Sequence, residues 1–195
     1  MKFAPRRIVL EGGGVEEAPP LQENFTMKGR SAAKLLRQVE AWHGHLSREQ
    51  HVEFQSWQPS GIRAWEMEET TDELGPVRWT VQELLSSWEL AAEGRAMSHC
   101  VVSYSDQCAD GQTAIWSICM LRKGQEEREN VLTIAVDIKS KSVTQSRGRY
   151  NMQPNKLPSN RKAQQAAKNG YFPMINRSDF VLREWIGRER LRRVD

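Results

Sequence analysis

Two short apolar runs, Thr113–Leu121 and Val131–Ile138, and a third strand-length segment, Ser142–Arg147, joined by short polar connections, limit the fold of this chain more than any other feature. Their lengths suit strands, and a parallel pairing would need a crossover of a dozen residues or more between them. They are therefore expected to form an antiparallel meander. Helical periodicity flanks the runs on both sides. The fold class expected is α+β: a small antiparallel sheet of three strands, or slightly more, packed with helices, with a helical N-terminal region and a basic C-terminal helix.

The helices are placed by caps and apolar faces. Ser31 is an N-cap for a helix whose Leu35, Leu36, Val39 and Trp42 share one face, ended by Gly44, and Ser47–Gln50 is a capping box for a second, with Val52 and Phe54. Thr80–Glu83 reads as another capping box, opening a helix with Leu84, Leu85 and Trp88 and closing at Gly94. Ser98–Ala109 is expected to be helical, burying Cys100, Val101, Tyr104 and Cys108. A short helix is expected over Arg161–Lys168, and Ser178 is placed as the cap of the last helix, which packs through Phe180, Val181, Trp185 and Leu191. Trp57, Trp65 and Trp79 punctuate a segment broken by Pro59, Gly61 and Gly75-Pro76, expected to be short strands or loops, and Glu66 to Glu73 reads as a solvated face or turn. The organisation expected is a flexible lead-in over 1–30, a helical and Trp-rich support region over 31–79, and a core with a basic extension over 80–195.

Charge is distributed unevenly. Up to residue 120 there are 11 Lys and Arg against 17 Asp and Glu, and after it 17 against 8. A basic C-terminal third points to a polyanionic partner, nucleic acid first, with Arg183, Arg188, Arg190, Arg192 and Arg193 as the residues to meet it. A solvated arginine-rich helix face, or an arm docking on an acidic protein in a larger complex, is the alternative. No run of about 18 apolar residues exists, so no membrane partner is expected. Three cysteines, Cys100, Cys108 and Cys119, form no disulfide framework and suit reduced thiols in a cytoplasm. His43, His45 and His51 lack further ligands at metal spacing, so no metal site is expected, and the pattern names no cofactor.

Between Met97 and Asn151, chemically able side chains alternate with the apolar runs. His99, Tyr104, Gln145, Arg147 and Asn151 are the candidates, with Gly148 and Arg149 at the strand end where backbone and guanidinium can approach an anion. His99 is expected near a helix N-terminus, whose dipole lowers an imidazole's pKa. Cys100 points about 100° away from His99 on that helix and reads as a packed thiol.

The residues Glu93–Val101, Tyr104, Ile115-Trp116-Ser117, Leu132-Thr133-Ile134, Gln145, Arg147-Gly148, Asn151 and Trp185 together resemble the PcfJ-like family. The resemblance covers roughly Trp57 to Trp185 and implies association with a mobile element or an anti-phage system. It also implies an acid where this chain has Ala135: either alanine is tolerated there, or the acid is catalytic and its loss, natural or introduced, leaves the chain inactive, and the catalytic set would be His99, Tyr104, Gln145 and the residue at 135, with Arg147, Gly148, Arg149 and Asn151 holding substrate. Two readings follow: nuclease-like acid/base chemistry on nucleic acid or a nucleotide, silenced here by Ala135, or a non-enzymatic module binding nucleic acid or protein. Transfer of a nucleotide-derived group ranks third, because the His99-to-Tyr104 spacing is much shorter than in ADP-ribosyltransferases.

Overall fold

The computed structural model describes residues 6–9, 15–18, 31 and 53–195, and the chain divides into two units, residues 1–41 and 42–195. In the first unit Arg6–Val9 (β1) pairs antiparallel with Val15–Ala18 (β2). The helices expected from Ser31 and from Ser47–Gln50 lie almost wholly outside the described residues.

The second unit is α+β, built on a six-stranded sheet. Its strands are Trp65–Thr71 (β3), Gly75–Leu84 (β4), Thr113–Arg122 (β5), Glu129–Asp137 (β6), Ser142–Arg147 (β7) and Arg192–Arg193 (β8). They lie in sequence order across the sheet. The first five form the antiparallel meander, and β8 joins β7 in parallel.

The three expected strands are thus the last three of a larger meander, and β3 and β4, in the segment expected to be short strands or loops, have a physical reason for reading less clearly. β5 and β6 are buried on both faces, so they read as continuous apolar runs. β3 is an edge strand: Trp65, Met67, Glu69 and Thr71 are half-buried while Glu66, Glu68 and Thr70 are exposed. An acidic edge blunts strand addition from other chains, and its glutamates give it the sequence of a solvated turn. In β4, burial of Val77, Trp79 and Val81 at period two overrides the local capping signal of Thr80–Glu83. The capping pair that acts is Ser86 and Glu89. Ser86 Oγ accepts from the Glu89 N–H at 3.2 Å, the Glu89 carboxylate accepts from the Leu85 N–H at 2.6 Å, and helix α1 runs Ser87–Met97. Trp88, expected inside, is 59% exposed with its ring 4.9 Å from that of Phe54.

α1 continues past Gly94 and ends at Ser98, which takes the left-handed cap conformation with φ of 53°. The helix expected over Ser98–Ala109 is consequently split into a 3₁₀ turn at Val102–Tyr104 and a short α2 at Ser105–Ala109. Beyond β7, a turn at Arg149–Asn151 leads to α3 (Arg161–Ala166), a π-helical turn at Ala167–Tyr171, and α4 (Phe172–Glu189). α4 begins six residues before Ser178, which is buried inside it and bonds back to the Ile175 carbonyl at 2.7 Å.

Strand alternation separates two faces of the sheet. Leu132, Ile134 and Val136 of β6 join Trp79, Trp116, Ile118, Ile175, Leu182 and Trp185 in the main core under α4. Trp116 and Trp185 pack with ring centroids 4.8 Å apart and planes tilted by 49°, and Trp185 Nε1–H donates to the Arg63 carbonyl at 2.9 Å. Ala135, on the other face, belongs to a smaller cluster with Leu84, Leu90, Val101, Cys108 and Ile115.

Candidate functional site

The register of the meander builds the site. Two cross-strand rows run from β5 to β7 on the α1 side: Ser117–Thr133–Arg147 and Ile115–Ala135–Gln145. Thr133, Arg147, Ile115, Ala135 and Gln145 line a small pocket of about 50 Å³, completed by His99, Cys100, Val101 and Tyr104 from above and by Asn151 from the turn after β7. So His99, Tyr104, Ala135, Gln145, Arg147 and Asn151 converge although they come from four separate segments. Tyr104 Oη donates to Gln145 Oε1 at 3.4 Å, and Arg147 is steadied by its Nη1–H on the Ser146 carbonyl at 2.8 Å.

His99 is held by the end of α1 and not by the start of a helix. Its N–H donates to the Gly94 carbonyl at 3.2 Å, and a Cβ on Gly94 would lie 2.9 Å from the His99 carbonyl oxygen, so the approach needs glycine there. The dipole at a helix C-terminus would raise an imidazole's pKa. Burial does the reverse and dominates: it takes His99 down to about 4, against a small opposing effect of its own backbone carbonyl. The lowering expected from the sequence is present, with desolvation as its cause.

Below His99 lies a buried polar chain. His99 Nε2 is 2.9 Å from Thr133 Oγ1, and Thr133 Oγ1 makes a very short bond with Glu93 Oε1. Glu93 Oε2 receives Ser117 Oγ–H at 3.0 Å and Asn130 Nδ2–H. Glu93 is 3% exposed. Burial pushes its pKa above the ordinary carboxyl value, outweighing the bonds from Thr133, Asn130 and Ser117. Among the described residues no lysine or arginine pairs with it. Sequence reasoning assigns no role to Glu93 or Thr133. The available signal is spacing: Leu90, Glu93, Gly94 and Met97 fall at i, i+3, i+4 and i+7, which puts a carboxyl on the core-facing stripe of α1.

Other candidates stand elsewhere. A Cβ on Gly148 would lie 2.7 Å from Tyr171 Oη and would overlap Ile175, so the room this glycine leaves is taken by the protein. Arg149 donates its backbone N–H to Tyr171 Oη at 2.8 Å and lays its guanidinium over the Tyr171 ring at 5.3 Å, outside the pocket lining. Tyr150 and Asn151 are consecutive left-handed residues, with φ of 57° and 61°, an uncommon backbone that brings Asn151 to the pocket. The five C-terminal arginines ride on α4 and β8. Arg183 and Arg193 pair with Asp179, Arg193 also with Asp195, Arg188 lies over Trp65 at 5.0 Å, Arg192 donates to the Ser140 carbonyl at 3.1 Å, and Arg190 forms the left-handed cap of α4. Among the described residues no group of three or more His, Cys, Asp or Glu is placed to hold a metal ion.

The family model for PcfJ-like proteins matches residues 41–163, more than half of the chain, including every strand and turn that lines the pocket. The chain belongs to the PcfJ-like family. The match ends before α4, so Trp185, counted in the resemblance read from the sequence, lies outside it. No curated protein and no solved structure matches this PcfJ-like chain. Among the described residues no helix is long and apolar enough to cross a membrane.

Proposed function

We propose that the pocket is an acid/base site for a phosphate-bearing substrate, a nucleotide or the backbone of a nucleic acid, and that this PcfJ-like protein serves a mobile element or an anti-phage system from the cytoplasm. The observation that carries the reading is that Arg147, set by the β6–β7 register, lines the same small pocket as the half-buried, uncharged imidazole of His99. A guanidinium can fork onto phosphate oxygens, and an imidazole uncharged at neutral pH can accept a proton from an attacking hydroxyl or water. Tyr104, Gln145 and Asn151 supply neutral hydrogen bonds around the same space. Ala135 lies directly across from Gln145, so the acid that the resemblance implies would enter this pocket, and its absence leaves the protein with weak or no turnover.

The test is to express the chain beside Ala135→Glu, follow host growth, and incubate both purified proteins with single- and double-stranded DNA, RNA and nucleotides. Toxicity or strand loss with glutamate, abolished by adding His99→Ala or Arg147→Ala, is the expected outcome. Intact substrates in every case favour the second reading, a binding module for nucleic acid or a larger complex. The apolar floor at Ala135 and the arginines from Arg183 to Arg193 support that reading, which predicts salt-sensitive binding indifferent to residues 99 and 135.

A further inference from the structure

The carboxyl expected at position 135 is absent, yet a carboxyl sits under the pocket. Glu93, Thr133 and His99 form one unbroken chain, carboxyl to hydroxyl to imidazole Nε2, and Thr133 and His99 both line the pocket while Glu93 is sealed beneath it. A hydroxyl has one proton, so Thr133 donates toward one neighbour and accepts from the other. That constraint ties the two ends together. If Glu93 is a carboxylate, Thr133 donates to it and must accept Nε2–H from His99. If Glu93 is protonated, it donates to Thr133, Thr133 donates to Nε2, and the imidazole proton sits on Nδ1.

We propose that Glu93 is the proton store of this site and that Thr133 transmits its protonation state to His99 as a choice of tautomer. The proposal rests on the pocket being an acid/base site, and it makes Glu93 and Thr133 positioning residues acting through His99. The proton balance closes without a buried ion pair. With Glu93 protonated, Nδ1–H passes to an acceptor in the pocket, Nε2 takes the Thr133 proton, and Thr133 takes the Glu93 proton. The products are a Glu93 carboxylate and a neutral Nε2–H imidazole, and the reverse sequence takes up one proton.

The surroundings favour the protonated start. Burial moves His99 down and Glu93 up, and both movements favour the uncharged pair. An imidazole with a pKa near 4 holds no second proton at neutral pH, so alone it is a poor acid there; a carboxyl behind it removes that limit. The other titratable groups that feel Glu93 are Cys119 on β5 and Tyr171 before α4, both raised mainly by their own burial and neutral at physiological pH. Ser117 and Asn130 complete its hydrogen bonds and do not titrate. Around His99 the pocket adds Cys100, Tyr104 and Arg147.

The experiment is long-range ¹H–¹⁵N spectroscopy of the imidazole in the full chain, which separates protonated from lone-pair ring nitrogens. His99 is expected to hold its proton on Nδ1 while Glu93 is protonated and to switch to Nε2 as pH rises through the range above that of an ordinary carboxyl, where burial moves Glu93. Thr133→Ser should keep the switch, Thr133→Val should lose it, and Glu93→Gln should hold one tautomer at every pH. Backbone amide spectra establish that each variant is folded, and Thr133→Ser with Glu93→Gln suffices where valine disrupts the fold. A wild-type ring with no switch in that range overturns the relay, as does a switch that survives in Glu93→Gln or Thr133→Val. The switch is read without substrate, so the outcomes separate: a switch in a protein whose Ala135→Glu form turns over nothing sinks the acid/base reading alone, and His99-dependent turnover by that form without a switch sinks the relay alone.

Discussion

The two faces of β6 handle polarity in opposite ways. Toward α4, Leu132, Ile134 and Val136 meet tryptophans and aliphatic side chains, and charge is kept to the rim in opposite-sign pairs. Glu69 illustrates the rim: burial pushes its pKa up, but the Arg177 guanidinium and the Trp79 indole N–H more than offset this and hold it below the ordinary value. Toward α1, the same strand presents Thr133 to a carboxyl that is deeper than Glu69 and has neutral donors only. A buried acid without a cation is costly, and here it lies within two hydrogen bonds of a pocket imidazole. The contrast teaches that the α4 face secures the fold, while the α1 face holds a buried acid without a cation at a cost in stability.

The largest expected effect tests the securing face. Trp185→Ala removes an indole that is fully buried against Trp116 and bonded to the Arg63 carbonyl, and should cost about 3–5 kcal/mol in urea unfolding. Glu93→Gln, of nearly the same shape, should cost about 1 kcal/mol or less. Comparable losses from the two would break the division between a structural and a chemical face.

Next in size is the pH signature of the α1 face. His99 is lowered from 6.5 to about 4, so its contribution to stability is fully present above pH 6.5 and is lost as pH falls toward 4, by ~3 kcal/mol. Glu93 is raised, so its contribution is present at low pH and fades as pH rises through its folded value. His99→Asn should flatten the acid limb of the stability profile and Glu93→Gln the alkaline one. A profile unchanged by both would mean that neither group is buried as described, and the comparison of faces would lose its basis.

How much of this is legible in the sequence follows from the same alternation. β5 and β6 are readable because strands covered on both faces spell continuous apolar runs, and β7, with Val143 as its one apolar residue, is readable through the short turn that follows β6. β3 is hidden by its exposed glutamates, and β4 by a capping sequence that only the packing of Trp79 and Val81 overrules. The last helix is readable in its body but not at its start, because Pro173 and the buried Ser178 give conflicting cues. In the pocket, the polar residues on the strand ends stand out against apolar neighbours. Glu93 does not, since solvated glutamates are common on helices and only the register of α1 against β5 and β6 reveals which way this one faces. That His99 lies just after a helix also needs the left-handed cap at Ser98, a conformation serine does not announce.

The smallest effect on stability, and the one that sharpens the comparison most for function, concerns arginines on the two faces. Arg147 on the α1 side and Arg183, Arg188 and Arg190 on α4 are each expected to change stability by no more than about 0.5 kcal/mol when replaced, since partly exposed guanidinium groups contribute little. Their effects on binding should differ in kind. If the pocket grips a phosphate, Arg147→Ala should weaken binding of a short oligonucleotide or a nucleotide by roughly 10- to 100-fold, the value of one charge-assisted bond. Arg188→Gln with Arg190→Gln should leave nucleotide binding unchanged and lower the salt dependence of long-strand binding by about one unit of slope for each phosphate no longer neutralised. Titrations at several salt concentrations measure both. A nucleotide affinity indifferent to Arg147, together with long-strand binding that depends on the α4 arginines, would transfer ligand recognition to the α4 side and leave the α1 pocket without its proposed substrate.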